Sequence, residues 1–284
     1  MNAHTYLTQV IPTLQTDRPD MDAQILLAHV LDCPRSRLIA NLHAPLTPPQ
    51  IESANHTFAR LRTGEPLPYI LGHWEFFGLD FDITNDVLIP RPETELLVEK
   101  AIDWLKASPE RKTVADVGTG SGLIATCIAM NVPDARILAT DISHAALKIA
   151  KHNAEKFHVH HNIEFVECDL LPQSSIVNRQ SKIDLICANL PYIPTQTLKG
   201  LPIFRREPTI ALDGGEDGLT IIRRLLDLAP ARLAPGGRIL LEIEATQGSK
   251  ARALAVEKFP QASIALHQDL AGHDRLLEIS FDED

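Results

Sequence analysis

The sequence predicts an α/β protein whose doubly wound sheet has seven, mostly parallel strands, with a small N-terminal helical bundle joined to it by a β-hairpin. Three observations predict this fold class. Residues before 66 show helical spacing, and residues 66–92 are rich in aromatic and β-branched side chains. From residue 113, short apolar runs alternate with helical segments, which is typical of a parallel sheet covered by helices on both faces.

Composition restricts the class of protein. The chain has 284 residues, of which 44% are hydrophobic and 23% charged, as in globular proteins with buried cores. A net charge of −10 argues against a surface that follows a long nucleic-acid backbone, so we expect no direct nucleic-acid binding. The four cysteines form no CxxC pair, and no segment has the length of a membrane span. We therefore expect a cytoplasmic protein without membrane contact.

Residues 1–65 are predicted to form a helical domain. Apolar spacing predicts a helix over 20–32, for which Asp20 is the expected N-cap. A second helix is expected over 47–65, with Thr47 as its cap. Because none of these residues has a catalytic pattern, we expect this domain to recognise the substrate.

Residues 66–92 are predicted to be a β-hairpin linker with a turn at Asn85-Asp86. Helical spacing resumes over 93–108, and residues 93–284 are predicted to form the α/β domain. Its seven expected strands are TVADVG (113–118), RILATD (136–141), NIEFVECD (162–169), KIDLICAN (182–189), GRILLEIE (237–244), ASIALHQ (262–268) and DRLLEISF (274–281). Ligands of such sheets bind at the carboxyl ends of the strands.

The first of these strands runs into a glycine-rich turn, DVGTGSG (116–122). Glycines permit a tight turn and let a ligand approach the backbone. The dinucleotide pattern GxGxxG is absent because Leu123 occupies its last position, and the ending of a phosphate-binding P-loop is absent too. The turn resembles motif I of class I methyltransferases that use S-adenosylmethionine. This resemblance implies that the cofactor is bound by Gly118, Thr119, Gly120, Ser121 and Gly122.

Acidic residues close the next two strands. Asp141 lies about 20 residues beyond the turn, where a ribose-binding carboxylate is expected, although it also fits the N-cap of a helix that begins near His144. By resemblance, Asp169 or Leu170 lies at the adenine ring. An aspartate that only begins a loop is the alternative for Asp169.

The fourth strand ends in Asn189-Leu190-Pro191-Tyr192. The Asn189 side-chain oxygen and the Leu190 carbonyl are positioned to accept both hydrogens of a planar NH2 group. Pro191 stiffens the turn, and Tyr192 offers a flat wall. A plain strand-ending turn is the alternative, since Asn and Pro both favour turns.

This stretch resembles the NPPY motif of methyltransferases that modify planar amino groups. Together with IPRPETELL (89–97) and REPTIALDGGEDGL (206–219), it resembles the HemK/PrmC family. The resemblance implies methylation at N5 of the glutamine in the Gly-Gly-Gln motif of peptide chain release factors, with S-adenosylhomocysteine as product. It places cofactor contacts on the glycine turn, Asp141, Leu170 and Asn189, and substrate contacts and catalysis on Asn189 to Tyr192. Leu190 departs from the family's usual proline.

Two other functions fit parts of the pattern. An amino methyltransferase acting on adenine or guanine in nucleic acid uses a similar motif but needs a basic cleft. A non-catalytic binding module is disfavoured by the intact turn, Asp141 and Asn189. We expect no metal site, because HNAEKFHVHH (152–161) fits the solvated end of a helix. The roles of Arg91 and Glu207, structural or facing the substrate, stay open.

Overall fold

The computed structural model describes residues 1–172 and 182–282 and forms two units, Met1–Trp74 and Glu75–Asp284. The first unit consists of helices α1 Ala3–Val10, α2 Pro19–Val30, α3 Arg35–Ala40, α4 Pro48–Arg62 and α5 Leu67–Leu71. Tyr6, Leu26, Leu27 and Phe58 are buried in its core. Burial of such side chains stabilises the unit by roughly 1.5–3 kcal/mol each.

Sequence spacing predicted the N-cap residue correctly for α4 but not for α2. At α4 the prediction is confirmed: Thr47 is the N-cap and forms a capping box with Gln50. At α2 it is wrong, because the helix begins at Pro19 with Arg18 at the N-cap position. Proline fits the first helical position, so Asp20 lies in the first turn, where its carboxylate interacts favourably with the helix dipole.

The hairpin is shorter than its predicted segment. Helix α5 lies inside the predicted linker because Leu67 and Ile70 complete the core of the first unit. The hairpin strands are β1 His73–Phe76 and β2 Leu79–Asp82. They are joined by Phe77-Gly78, both with positive φ, so the turn predicted at Asn85-Asp86 lies after the hairpin and not within it.

The second unit contains the predicted seven-stranded sheet, which confirms the fold class. Its strands are β3 Thr113–Val117, β4 Arg136–Asp141, β5 Ile163–Glu167, β6 Ile183–Ala188, β7 Leu233–Glu242, β8 Ser263–Gln268 and β9 Asp274–Ser280. The order is β5-β4-β3-β6-β7-β9-β8, and β9 runs antiparallel to both neighbours. Each strand overlaps a predicted segment, although β7 begins at Leu233 and not at residue 237.

Helices cover both faces of this sheet. They are α6 Thr94–Ala107, α7 Leu123–Asn131, α8 His144–Lys156, α9 Thr195–Leu198, α10 Thr220–Leu228 and α11 Gly248–Lys258. One apolar core includes α6, α7 and the hairpin side chains Phe76 and Phe81, and the other includes α10 and α11. Of the predicted domain 93–284, residues 173–181 and 283–284 lie outside the described residues.

Strand register decides which residues meet at the carboxyl edge of the sheet. Val117 pairs with Thr140 on one side and with Ala188 on the other, and Ala188 pairs with Leu241. The residues that follow these partners therefore form one row: Gly118, Asp141, Asn189 and Glu242. No helix in residues 1–172 and 182–282 is both long and apolar enough to cross a membrane.

Candidate active site

A cavity of about 520 Å³ opens at this carboxyl edge, within the second unit. All but two of the residues predicted to contact cofactor or substrate line this cavity. The ten that line it are Gly118, Thr119, Gly120, Ser121, Asp141, Asp169, Leu170, Asn189, Leu190 and Pro191. The exceptions are Gly122, which occupies the N-cap position of α7, and Tyr192.

Hydrogen bonds from two strand ends hold the glycine turn. The backbone nitrogens of Gly118 and Thr119 donate to the Thr140 carbonyl at 2.8 and 2.9 Å. Asp116 is fully buried and accepts from Thr119 Oγ1 at 2.6 Å; burial raises its pKa to about 7. Gly120 has φ +56°, and a Cβ built on it would meet no atom within 4 Å. The turn therefore presents open backbone to the cavity.

The Asp141 carboxylate lies beside that open backbone. Its Oδ2 accepts from Gly120 N at 3.0 Å and its Oδ1 from Ser143 N at 2.8 Å, while burial raises its pKa. Ser143 is the N-cap of α8, with its side chain accepting from Ala146 N, so the alternative role of Asp141 as that cap is wrong. An acidic side chain fixed next to an open glycine fits the hydroxyls of a nucleoside ribose.

The end of β5 adds an apolar wall and an ion pair. Leu170 is buried, and its carbonyl accepts from Thr140 Oγ1 at 2.6 Å. Asp169 forms an ion pair with Arg224, at 2.5 Å between Oδ2 and Nη2. Leu170 thus offers an apolar side chain in the cavity wall that suits the face of an adenine ring, while the Asp169 carboxylate already has a cationic partner.

A chain of hydrogen bonds runs inward from Asn189. Its Nδ2 donates to Thr94 Oγ1 at 3.0 Å, and Thr94 Oγ1 donates to Glu242 Oε2 at 2.6 Å. The Tyr192 hydroxyl donates to Glu242 Oε1 at 3.3 Å. Thr94 and Glu242 are 1% and 2% exposed. Burial raises the pKa of Glu242 from 4.5 to about 7, against the hydrogen bonds from Thr94 and Tyr192, which lower it.

Sequence reasoning missed Thr94 and Glu242. Thr94 lies inside IPRPETELL, and nothing in that stretch singles out its hydroxyl. Glu242 interrupts the apolar run ILLEI of a buried strand, and that interruption was a usable signal, because a carboxylate at such a position is costly unless it has partners.

The flat wall predicted of Tyr192 stays a prediction, because the contacts of this side chain are with the protein. Its ring does not line the cavity, its hydroxyl is turned to Glu242, and its carbonyl accepts from Gln247 Nε2 at 2.8 Å. Burial raises the pKa of the Tyr192 hydroxyl. Tyr192 therefore supports the turn from behind, and its contact with a substrate stays a prediction.

The backbone of the Asn189–Tyr192 turn packs against the loop that follows Asp213. Gly214 N donates to the Ile193 carbonyl at 2.9 Å. A Cβ on Gly214 would lie 2.8 Å from the carbonyl oxygen of Pro191 and 2.8 Å from the carbonyl carbon of Tyr192. Only glycine permits this approach, which accounts for Gly214 within the DGGEDG stretch.

Arg91 and Glu207 pair with each other. Arg91 Nη2 lies 2.5 Å from Glu207 Oε1, and Glu207 Oε2 accepts from Ile89 N at 3.1 Å. Glu207 is buried, so the pair ties residues 89–91 to the segment after the turn. Leu190, in place of the usual proline, is also buried, and its Cδ2 lies 3.1 Å from where a Cβ on Gly118 would stand.

The histidine-rich stretch has structural contacts. His152 Nε2 lies 2.7 Å from Asp82 Oδ2, and buried Asn153 donates to the carbonyls of Asp82 and Ser121, both at 2.9 Å. Asn153 thus joins the hairpin to the glycine turn. Within the described ranges, no group of three or more His, Cys, Asp or Glu side chains is placed to hold a metal ion.

Comparisons with known proteins identify the family. Residues 3–72 match the PrmC N-terminal domain, and residues 93–196 match the ribosomal protein L11 methyltransferase family (PrmA). The release factor glutamine methyltransferase of Moorella thermoacetica is 42% identical over 91% of this chain and 90% of its own. The Bordetella pertussis protein of that name is 39% identical over 91% and 93%. This chain belongs to the release factor glutamine methyltransferase family.

Solved structures agree with this assignment at the level of the fold. A Pyrococcus furiosus methyltransferase, 18% identical, covers 81% of this chain and 99% of its own with a TM-score of 0.52. The human Mettl16 catalytic domain, 17% identical, covers 86% of both chains with a TM-score of 0.54.

The predicted family, enzyme class and methyl donor are confirmed: this release factor glutamine methyltransferase family member uses S-adenosylmethionine. The open Gly120, Asp141 and Leu170 fit that cofactor.

We expect Asp141→Ala to weaken S-adenosylmethionine binding by about 10- to 100-fold, because a charged acceptor contributes roughly 1.5–3 kcal/mol. Calorimetric titration of the apoprotein measures this affinity. Asp103→Ala, on the exposed face of α6, is the matched control. Equal affinities for the two variants would show that Asp141 does not hold the cofactor.

We expect Glu242→Gln to stabilise the protein at pH 8 but little at pH 5. Between pH 4.5 and about 7 the folded protein keeps the Glu242 proton that the unfolded chain has released, so stability falls as pH rises through this window. Glutamine does not titrate and therefore avoids this loss of folding stability, which is about 2 kcal/mol between pH 5 and pH 8.

Differential scanning calorimetry at both pH values measures the difference in stability. Glu257→Gln, on the exposed face of α11, is the control and should behave alike at both. A Glu242→Gln effect that does not change with pH would contradict the raised pKa.

We expect Gly214→Ala to lower the rate of methyl transfer at least tenfold, because the added methyl group forces the Pro191–Tyr192 backbone to move and small displacements at a reacting centre are costly. Cofactor affinity should change little. Gly200→Ala is the matched control, since its Cβ would meet only an ordinary 3.5 Å contact with the Thr197 carbonyl. Steady-state kinetics measure the rate of methyl transfer by both variants. Equal rates for Gly214→Ala and Gly200→Ala would refute the close packing at Gly214.

Proposed function

We propose that this methyltransferase transfers the methyl group of S-adenosylmethionine to N5 of the glutamine in the Gly-Gly-Gln motif of peptide chain release factors, leaving S-adenosylhomocysteine. Family membership supports this reaction. The structural observation that carries it is the Asn189 amide in the cavity wall, whose nitrogen is engaged by Thr94. No described residue donates a hydrogen bond to Asn189 Oδ1, so this oxygen can accept one N–H of a substrate amide.

The chemistry required of the chain is mainly positioning. A carboxamide nitrogen is a weak nucleophile because its lone pair is delocalised into the carbonyl group, and the bound cofactor supplies an electrophilic methyl group. Asn189 Oδ1 accepts one amide hydrogen and the Leu190 carbonyl accepts the other, which holds the nitrogen in line and favours its pyramidal form. After transfer, the nitrogen releases one proton to water.

The charges of the cavity wall favour a protein substrate over nucleic acid. In the part of the chain that the structure describes, the two arginines of this wall are already paired, Arg91 with Glu207 and Arg224 with Asp169. The wall also includes the exposed apolar side chain of Ile210, which is 59% accessible. A site for adenine or guanine in nucleic acid needs unpaired positive charge along its cleft.

The two parts of the chain have separate tasks in this proposal. Every group assigned to the chemistry lies in residues 93–284, so residues 1–65 are left to recognise the release factor. The site of action is the cytoplasm.

Labelled methyl transfer tests the reaction, with whole release factor, a Gly-Gly-Gln peptide, DNA and RNA as parallel substrates. The proposal requires methylation of the first two and a lower KM for the whole factor.

We expect Asn189→Ala to lower methyl transfer by about 100-fold or more, because it removes one preorganised acceptor at the reacting nitrogen. Cofactor affinity should fall much less, since the other strand ends make most of its contacts. Asn131→Ala, an exposed amide at the end of α7, is the control. Near-normal turnover in Asn189→Ala would exclude the amide acceptor and leave residues 189–192 as an ordinary turn.

A further inference from the structure

The hydrogen-bond chain from Asn189 to Glu242 has a fixed direction once Glu242 is ionised, which happens as the pH rises above its pKa of about 7. An ionised carboxylate has no hydrogen to donate, so Thr94 must then donate to Glu242 Oε2 across the 2.6 Å contact. A hydroxyl group has a single hydrogen, so Thr94 Oγ1 is left only as an acceptor toward Asn189. The nitrogen of the Asn189 amide must therefore face Thr94, at 3.0 Å, and the oxygen must face away from it.

This direction matters because the two ends of an amide are almost identical in shape. Packing alone does not distinguish the Asn189 oxygen from its nitrogen; only hydrogen-bond partners do. Turned by 180°, the same side chain would present an NH2 donor to the cavity. A glutamine substrate brings an NH2 group and needs an acceptor, whereas a glutamate carboxylate brings only acceptors and needs a donor.

We propose that Glu242 is a positioning residue that acts through Thr94 to hold the Asn189 oxygen toward the cavity, and that this relay makes the site select a carboxamide over a carboxylate. The proposal rests on the proposed function. Neither Glu242 nor Thr94 transfers the methyl group. Their contribution is to decide which end of the Asn189 amide the substrate meets.

The surroundings of Glu242 support this role over that of an ordinary ion pair. In residues 1–172 and 182–282, no salt bridge includes Glu242. The charged groups that face it are Glu93, at the N-cap position of α6, and Arg275 on β9, with the neutral Tyr192 hydroxyl on its other oxygen. Arg275 forms its own ion pair with Asp269, at 2.9 Å between Nε and Oδ2. Glu242 thus stays buried with hydroxyl donors as its direct partners.

Such an arrangement does not serve stability. A buried carboxylate without a directly paired cation has a desolvation penalty, and an apolar side chain of similar volume at this position would avoid it. What an apolar residue would not provide is an acceptor that forces Thr94 to donate inward.

The test compares binding of two peptides that differ only in carrying Gly-Gly-Gln or Gly-Gly-Glu, measured by calorimetry with S-adenosylhomocysteine present at about pH 8.5, where Glu242 is ionised. Wild-type protein should bind the glutamine peptide more tightly. In Thr94→Val, which keeps the shape but removes the hydroxyl, the Asn189 amide is free to turn. The ratio of the two affinities should then fall about tenfold, the value of one hydrogen bond to a charged or reacting group.

Thr94→Ser keeps the hydroxyl and should restore the wild-type ratio. Thr94→Ala removes it without branching at Cβ and gives the same test should the valine variant fail to fold. Methyl transfer to the glutamine peptide, measured alongside, should show a loss in kcat for valine and recovery for serine.

Two binding outcomes overturn the proposal. One is an unchanged affinity ratio in Thr94→Val and Thr94→Ala; the other is equal weakening of both peptides, which is what a structural role of Thr94 alone produces. If wild-type protein fails to methylate the glutamine peptide and whole release factor, the proposed function is wrong and the relay falls with it. Wild-type methylation with an unchanged ratio rejects the relay alone.

Discussion

The register of four neighbouring strands is the constraint on which the site depends. It places Asp141, Gly118, Asn189 and Glu242 side by side, because each directly follows a residue that is paired across β4, β3, β6 and β7. A slip of one residue would turn every side chain of a strand to the opposite face and bury the wrong set. The apolar cores on both faces fix the register, and so they also fix the distances within the site.

Several polar groups in and beside this row are buried at a cost. Burial raises the pKa of Asp116, Asp141 and Glu242, which means that folding disfavours their ionised forms. Each is partly compensated by nearby donors: Thr119 for Asp116, backbone nitrogens for Asp141, and two hydroxyls for Glu242. These buried carboxylates lower the stability of the folded protein, but they supply the oriented acceptors that the cavity needs. Such a loss of stability is typical of a site under selection for function.

Sequence spacing predicted what each strand contributes by itself. The glycine turn, Asp141 and Asn189 were predictable, because each lies where a strand leaves the sheet. The partner of Asn189 was not, because Thr94 and Glu242 are 148 residues apart and meet only where α6 packs against β7. No local pattern encodes such a long-range contact. Helix α5 was missed because its helical state depends on the core it completes.

The leucine at position 190 illustrates how the surrounding structure substitutes for local rigidity. A proline there would fix φ through its ring. In this chain the turn is held from outside: Gln247 Nε2 donates to the Tyr192 carbonyl, the Ile193 backbone bonds to Leu212 and Gly214, and the Leu190 side chain packs toward Gly118. Because these contacts join the turn to three separate segments, its conformation does not depend on the φ restriction of one residue. The departure from the family's usual motif therefore changes how the turn is stabilised, while the Asn189 acceptor stays in place.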